Sequence, residues 1–189
     1  MGHARGLSIV ELLVALAVAG TLTAAALPAM VRYVAAQDST AAINTLIGAV
    51  QFSRAAAITS RHTVTLCPSA NAHDCAKRDQ WQLGAVAFAD MNKNGIADPE
   101  DIVLSAFPPL PQGSQAFWRS FRNKSYLSFE PSGLTSWQNG HFRFCPRDPD
   151  PRLIREIVVN PQGRVRRAPD RNHDGVVEDT SGKPVTCPE

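Results

Sequence analysis

Hydrophobic residues are very unevenly distributed along the chain. Between Gly6 and Val31 the only charged side chain is Glu11, and leucine, valine, alanine and isoleucine dominate. An apolar run of roughly twenty residues or more is long enough to cross a bilayer as a helix. The pattern therefore predicts a transmembrane helix over residues 7–31, joined to a more polar soluble domain.

The same helix is predicted to continue beyond the membrane, to about residue 60. No proline occurs between positions 31 and 58, and apolar residues recur there at helical spacing, at Ile43, Leu46, Ile47 and Val50. This stripe is expected to be buried against the globular domain. Pro28 is expected to bend or loosen the helix.

From residue 61 the pattern changes to short strands separated by turns. Strands are predicted at residues 63–66, 85–88, 102–104, 126–129, 142–144 and 157–159. The predicted fold class is α+β, with a long N-terminal helix packed on a C-terminal antiparallel β-sheet domain that covers residues 61–189.

Composition changes this picture mainly through the cysteines. The net charge is only +2 and indicates no class of partner, but four cysteines follow the apolar segment, at Cys67, Cys75, Cys145 and Cys187. If that segment exports the domain, two disulfides are expected. Proximity favours Cys67 with Cys75 and leaves Cys145 with Cys187, although four cysteines allow three connectivities. A zinc site that includes His73 is the competing interpretation.

The start of the apolar segment carries a motif. Residues 5–12, Arg-Gly-Leu-Ser-Ile-Val-Glu-Leu, resemble the processing site of type IV prepilins, in which a short basic leader ends in glycine and the fifth mature residue is glutamate. A secretory signal has a shorter apolar core, and a plain membrane anchor would not explain Glu11. The resemblance implies a leader over residues 1–6, cleavage between Gly6 and Leu7 by a prepilin peptidase, and methylation of the Leu7 amine. Leu7 departs from the family's usual phenylalanine.

Glu11 is given a role by the same resemblance. A carboxylate within a membrane helix is costly, and such residues usually have a function. The family implies that Glu11 pairs with the N-terminal amine of a neighbouring subunit when the helices bundle into a filament. The alternative is that Glu11 lies at the depth of the lipid headgroups.

Motifs in the globular part indicate which group of type IV pilin-like proteins the chain resembles. It is similar to the GspH/FimT family in Gly-Ala-Val-Ala-Phe-Ala-Asp-Met-Asn-Lys-Asn-Gly at 84–95, Phe-Glu-Pro-Ser-Gly at 129–133, Gly-His-Phe-Arg-Phe-Cys at 140–145 and Val-Val-Asn-Pro-Gln-Gly-Arg-Val-Arg at 158–166. That family comprises minor pilins of type IV pili and pseudopilins of type II secretion systems, and no enzymes. It implies a single-pass inner-membrane protein with a periplasmic domain that later joins a pilus or pseudopilus filament. The implied partners are other major and minor pilins and the inner-membrane assembly platform, with no cofactor.

A basic cluster near the C-terminus suggests a ligand. Between residues 152 and 171 there are six arginines against two carboxylates. Residues 163–166, Gly-Arg-Val-Arg, resemble the Gly-Arg-any-Arg signature of FimT-type pilins, which implies capture of double-stranded DNA during natural transformation. Arginine contacts with phosphates give affinity that is independent of sequence and sensitive to salt. The predicted DNA-binding residues are Arg164, Arg166, Arg167 and Arg171. The alternatives are a solvated charge cluster and a GspH-type pseudopilin that binds no DNA.

Two acidic loops resemble half of a calcium site. In residues 90–101, oxygen-bearing side chains occupy the first, third, fifth, ninth and twelfth places of an EF-hand loop, at Asp90, Asn92, Asn94, Asp98 and Asp101. Residues 170–178 repeat the first part of this pattern. Strands flank the first loop and both loops lack the usual final glutamate, so a hairpin turn at Asn94-Gly95 is the preferred interpretation. We therefore predict no metal site.

Catalytic residues are not predicted. His62, His73, His141 and His173 have no evident nucleophile around them. Trp81, Trp118 and Trp137 could stack on nucleobases, but packing beneath loops is the more common use of such residues.

Overall fold

The computed structural model describes residues 8–77, 80–148 and 150–188. Over these residues the chain forms one α-helix, α1 (Ile9–Ser60), followed by strands. The strands are β1 (Val64–Pro68), β2 (Ala85–Ala89), β3 (Ile102–Phe107), β4 (Gln115–Ser120), β5 (Leu127–Phe129), β6 (Gly140–Cys145), β7 (Arg155–Val159) and β8 (Val165–Arg167). The predicted α+β fold class is confirmed. Two units can be distinguished, one up to Gln37 and one from Asp38 onwards.

The first unit is the N-terminal part of α1, and its large apolar side chains are exposed. It is long and apolar enough to cross a membrane, with a mean hydropathy of 2.1 over its most apolar stretch. Glu11 lies in the first turn, and the helix continues through Pro28. Gly6 and Leu7, the predicted processing site, lie outside the described residues.

In the second unit, the rest of α1 packs on the β-domain through one face. Ile43, Leu46 and Val50 are buried in the main core, and Ile47 packs against it. This is the predicted stripe, and its burial follows from the helical period, which returns these positions to the same side. Small residues, Ala42 and Ala49, fill the same face.

The strands form two antiparallel four-stranded sheets rather than one. Sheet A has the order β3-β2-β1-β5, and sheet B has the order β4-β6-β7-β8. All six predicted strands are present, but β4 and β8 were not predicted. β4 is rich in polar residues at its ends, and β8 has only three residues, so neither gives a strong period-two signal.

Sheet B packs its inner face on the core mainly through aromatic side chains. Phe142 and Phe144 alternate inward along β6, and Trp81 and Trp118 contact Phe142 with ring centroids 4.7 and 4.4 Å away. Both tryptophans are only 1% exposed, so they are core residues. Trp137 differs, because 67% of its surface is exposed.

Two disulfides fix the loops at the ends of the strands. Cys67, in β1, is bonded to Cys75 in the following loop, and Cys145, at the end of β6, is bonded to Cys187 near the C-terminus. This is the connectivity that proximity in the sequence favours. Because all four sulfur atoms are engaged, they do not provide the thiolate ligands that the zinc interpretation requires.

A candidate nucleic-acid interface

The turn between β7 and β8 places the first of the predicted DNA-binding arginines. The backbone N–H of Gly163 donates to the carbonyl of Asn160 at 2.9 Å, and the side-chain oxygen of Asn160 accepts from the backbone N–H of Arg164, also at 2.9 Å. Asn160 donates in turn to the carbonyl of Arg164 at 3.1 Å. These bonds close the turn tightly and leave the side chain of Arg164 exposed at its end.

Gly163 is required in this turn for two separate reasons. Its φ of +72° lies in the left-handed region, and a Cβ at this position would lie 2.5 Å from the carbonyl oxygen of Gly133 and 2.8 Å from Cδ of Arg54. The Nε of Arg54, on α1, donates to the carbonyls of Gly133 at 3.1 Å and Gln162 at 3.2 Å. The helix is therefore tied to the arginine-bearing turn, and the glycine lets them approach closely.

The pleat of β8 separates the predicted arginines. Val165 packs against the core on the helix side, and Arg167 is on the same side, where its Nη2 donates to the side-chain oxygen of Asn44. Alternation puts Arg166 on the opposite, outer face of sheet B. Arg171 lies beyond the strand, where its backbone N–H donates to Oε2 of Glu178 at 2.8 Å. Arg166, Arg167 and Arg171 nevertheless line one shallow cleft, and Arg164 lies at the end of the β7–β8 turn.

Strand pairing instead brings Arg166 into line with an arginine that the sequence did not single out. Arg166 is paired with Val158, Val158 with His141, and His141 with Arg119 of β4. Directly paired residues project from the same face. We call these four residues the outer row. With strands spaced about 4.8 Å apart, its two ends are about 14 Å apart.

Neither arginine at the ends of the outer row forms a close ion pair with a carboxylate of the described residues. The ion pairs among residues 8–77, 80–148 and 150–188 are Arg143–Glu156, at 2.7 Å, and Arg152–Asp150, at 3.1 Å. Arg143 lies beside the row and is fully used, because its Nη1 also donates to the carbonyl of Thr186 at 2.6 Å. The guanidinium groups of Arg119 and Arg166 remain available to an anion.

His141, in the middle of the row, adds little positive charge at neutral pH. Burial lowers the pKa of this imidazole below its usual value of 6.5, and the nearby Arg143 and Arg119 act in the same direction, against the opposite influence of Glu156 and Asp179. The neutral form is therefore favoured at pH 7, and the charge of the outer row comes from its two arginines.

Acidic residues adjoin the basic cluster: Glu156 of β7, which is paired with Arg143, and two carboxylates of the C-terminal segment. Glu178 and Asp179 line a shallow cleft together with Arg166 and Arg171. Hydrogen bonds from Ser181 and from the backbone of Lys183 lower the pKa of Asp179, so its carboxylate stays ionised. One margin of the basic surface is consequently bordered by negative charge.

The first acidic loop is folded as a self-contained turn between β2 and β3. Asp90 is buried and accepts hydrogen bonds from Oγ1 of Thr65 at 2.7 Å and from the backbone N–H groups of Asn94 and Gly95 at 3.1 and 3.0 Å. The Asp90 carboxylate therefore already has the donors that a buried anion requires.

The remaining side chains of this loop also bond one another. Asn92 and Asn94 donate to Oδ2 of Asp98 at 2.9 and 2.7 Å and lower its pKa, and Asp101 accepts from the backbone N–H of Met91 at 2.9 Å. Within the part of the chain that the structure describes, no cluster of three or more histidine, cysteine or acidic side chains is arranged to hold a metal.

Comparisons with known proteins agree with this fold. The family model described as type II transport protein GspH matches residues 42–163. Two crystal structures of the type IV minor pilin FimU from Pseudomonas aeruginosa are similar to the chain, at 18% and 17% identity with TM-scores of 0.54 and 0.51. The matches cover 70% and 69% of this chain and 90% and 92% of FimU. A structure of the minor pseudopilin EpsH from Vibrio cholerae matches at 11% identity and a TM-score of 0.48, over 69% of this chain and 95% of EpsH. No curated protein sequence matches the chain.

Proposed function

The chain belongs to the GspH family of pilin-like subunits, and on that premise we propose that it is a minor pilin of a type IV pilus that binds double-stranded DNA during natural transformation. Its coarse class, a minor pilin or pseudopilin, follows from the family. The finer assignment rests on the basic surface of sheet B. It is a structural subunit in this proposal and not an enzyme.

The observation that carries the proposal is the unpaired state of Arg119 and Arg166 at the two ends of the outer row. Their backbone positions are about 14 Å apart, which is comparable to the roughly 12 Å width of the DNA major groove, and the long arginine side chains extend from these positions towards the phosphates of one duplex. Arg164 adds a third exposed cation at the end of the β7–β8 turn. Contacts of this kind carry no sequence information, which suits the uptake of arbitrary DNA.

The N-terminal helix supplies the membrane and filament functions in this proposal. A prepilin peptidase cuts between Gly6 and Leu7 and methylates the new amine, and the apolar part of α1 holds the subunit in the inner membrane. The assembly platform then transfers it into a filament with major and minor pilins. There Glu11, in the first turn of the helix, pairs with the N-terminal amine of a neighbour.

DNA binding can be tested with the full chain in nanodiscs of phosphatidylcholine, which carry no net charge. The affinity for a fluorescent 30-base-pair duplex is measured by anisotropy across a salt series, for the unchanged chain and for Arg164→Gln/Arg166→Gln. Each lost phosphate contact reduces the slope of log affinity against log salt by about 0.9. We expect the slope of the double variant to be smaller by about 1.8 and its affinity to fall at every salt concentration.

A matched control removes the same charge elsewhere. Arg147→Gln/Arg152→Gln also takes away two arginines, but Arg152 precedes β7, at the opposite end of that strand from the β7–β8 turn. The control is expected to keep the slope of the unchanged chain. Equal losses in both double variants would mean that net charge alone drives binding, and absence of binding at low salt would refute the proposal.

The second candidate is a GspH-type pseudopilin of a type II secretion system that binds no DNA, and the description of the matching family model favours it. Deletion of the gene separates the two candidates. If the chain is a minor pilin, its deletion should abolish piliation and DNA uptake and leave secretion intact. If it is a pseudopilin, its deletion should abolish secretion and leave piliation and DNA uptake intact.

A further inference from the structure

Exposed aromatic side chains surround a cavity beside the β7–β8 turn. The cavity has a volume of about 560 Å³ and is lined by Phe121, Leu134 and Trp137 on one side and by Pro161 and Gln162 of the turn on the other. Its volume lies within the range of about 300–1,000 Å³ that is typical of small-ligand sites. We call it the aromatic cavity.

The exposure of these aromatic rings is unusual for this domain. Phe121 is 76% and Trp137 is 67% exposed, whereas Trp81 and Trp118 are packed in the core. Contiguous apolar surface on a soluble domain commonly marks a binding site. Trp137 also has a positive φ of 58°, which is rare for a large residue.

The backbone around Trp137 is held firmly, which fixes the position of its ring. Thr135 is buried and its backbone N–H donates to the carbonyl of Pro161 at 3.0 Å. On the other side of the tryptophan, Gln138 is buried and its Oε1 accepts from the backbone N–H of Ser128 at 2.8 Å. The exposed ring therefore stands on an anchored segment.

Positive charges flank the aromatic cavity. Cζ of Arg122 lies 5.8 Å from the centre of the Trp137 ring, and Arg119 is exposed two residues before Phe121 in the chain. Gln162, in the opposite wall, is two residues from Arg164. Glu130 is the charged residue in the lining itself, at the side where its Oε1 accepts a hydrogen bond from Oγ of Ser136 at 3.0 Å. An apolar cavity bordered by cations complements a ligand that has flat rings and negative charges.

We propose that the aromatic cavity receives an unpaired base of single-stranded DNA, while Arg119, Arg122 and Arg164 contact the phosphates on either side of it. This inference rests on the proposed DNA-binding function and names the form of DNA that the site prefers. Every base has a π-face that can stack on phenylalanine or tryptophan, so the site needs no sequence preference. Bases within a duplex are stacked on both faces and cannot enter, which restricts the cavity to single strands and frayed ends.

The test compares three ligands of equal length on the full chain in phosphatidylcholine nanodiscs. They are a 12-mer of deoxythymidine, an abasic 12-mer with the same phosphates but no bases, and a 12-base-pair duplex. Stacking of one base is worth about 1–3 kcal/mol, which corresponds to about 5- to 150-fold in affinity, so we expect the thymidine strand to bind at least about fivefold more tightly than the abasic strand. Because Trp137 is the exposed tryptophan, its fluorescence should be quenched by the thymidine strand alone.

Variants assign the effect to the cavity. Phe121→Ser/Trp137→Ser should bind the thymidine and abasic strands equally, whereas Trp137→Phe should keep the preference, since it retains an aromatic ring. Ile102→Ser removes a side chain that is also well exposed, on the edge strand β3, and should change nothing.

The outcomes distinguish this inference from the proposed function. Equal binding of the thymidine and abasic strands, without quenching, would overturn the base-stacking role but leave the phosphate-binding surface intact. Such a result would leave another subunit of the filament as the occupant of the cavity. Absence of binding to all three ligands at low salt would overturn both proposals.

Discussion

Replacing Gly163 by alanine isolates the contribution of the β7–β8 turn to the stability of the domain. The substitution puts a Cβ at a φ of +72°, which costs roughly 1–2 kcal/mol for a residue other than glycine. It also places that atom 2.5 Å from the carbonyl oxygen of Gly133 and against the side chain of Arg54. Relieving this overlap must displace Arg54, whose Nε holds both Gly133 and Gln162.

The loss of these hydrogen bonds adds to the conformational cost. A hydrogen bond to a charged group contributes about 1.5–3 kcal/mol, and because Arg54 is only half-buried we expect about 2 kcal/mol for both contacts together. Gly163→Ala should therefore lower the free energy of unfolding by about 3–4 kcal/mol. For a domain of this size, 1 kcal/mol corresponds to about 2–4 °C in Tm. The assay is thermal unfolding of residues 38–189, monitored by circular dichroism. These residues contain the whole described core.

Gly182→Ala provides the matched control. Gly182 has a φ of +80°, but the nearest atom to an added Cβ is Nη1 of Arg171, at 3.9 Å. The control therefore carries the conformational cost without the packing cost, and its Tm should lie about 4–8 °C above that of Gly163→Ala. Equal Tm values for the two variants would show that Arg54 and Gly133 do not hold the turn, and the reasoning would fail.

Three further predictions concern other parts of the chain. Cys145→Ser/Cys187→Ser opens a loop with a sequence separation of 42 residues and should cost about 3–4 kcal/mol, measured as the free energy of urea unfolding; an unchanged value would contradict this. The pKa of His141 is lowered in the folded state, so the neutral imidazole stabilises the fold. This contribution is complete above about pH 6.5, the unfolded pKa, and is lost as the pH falls below that value. The Tm between pH 7.5 and 5 should therefore drop more steeply than in His141→Gln, and parallel curves would refute the linkage. Glu11→Gln should insert in the membrane but be missing from sheared filaments, which immunoblots of both fractions test; normal incorporation would exclude the pairing role.

Local patterns in the sequence predict most of the fold. The stripe of Ile43, Leu46 and Val50 identifies the buried face of α1, because helical periodicity depends only on residues close in the chain. Alternation likewise identifies β6, where Phe142 and Phe144 face inward. The division into two sheets was not predicted, since the order in which strands pair is decided by contacts between distant segments.

In the candidate site, too, local sequence patterns predict some features, and contacts between distant segments decide the others. The motif around Gly163 pointed to Arg164 and Arg166, and Arg167 was predicted with them. The pleat turns the guanidinium of Arg167 towards Asn44, a contact that the sequence does not indicate, and Arg167 still lines the same cleft as Arg166. Arg119 was missed, although the inward-facing Trp118 beside it is a signal that position 119 faces outward. What the sequence lacks is the pairing of β4 with β6, which brings Arg119 into the outer row.

The outer row and the aromatic cavity are proposed to bind DNA in ways that respond differently to salt. In the proposed function, the arginines of the outer row act through phosphate neutralisation, whose contribution falls steeply as salt rises. Stacking on Phe121 and Trp137 is not screened in this way, because it depends on contact between neutral rings. Arg119 belongs to the outer row and also lies two residues from Phe121, so one strand of DNA can engage both surfaces. The two proposals together therefore predict a subunit that holds a duplex loosely at physiological salt and retains a free strand end more firmly.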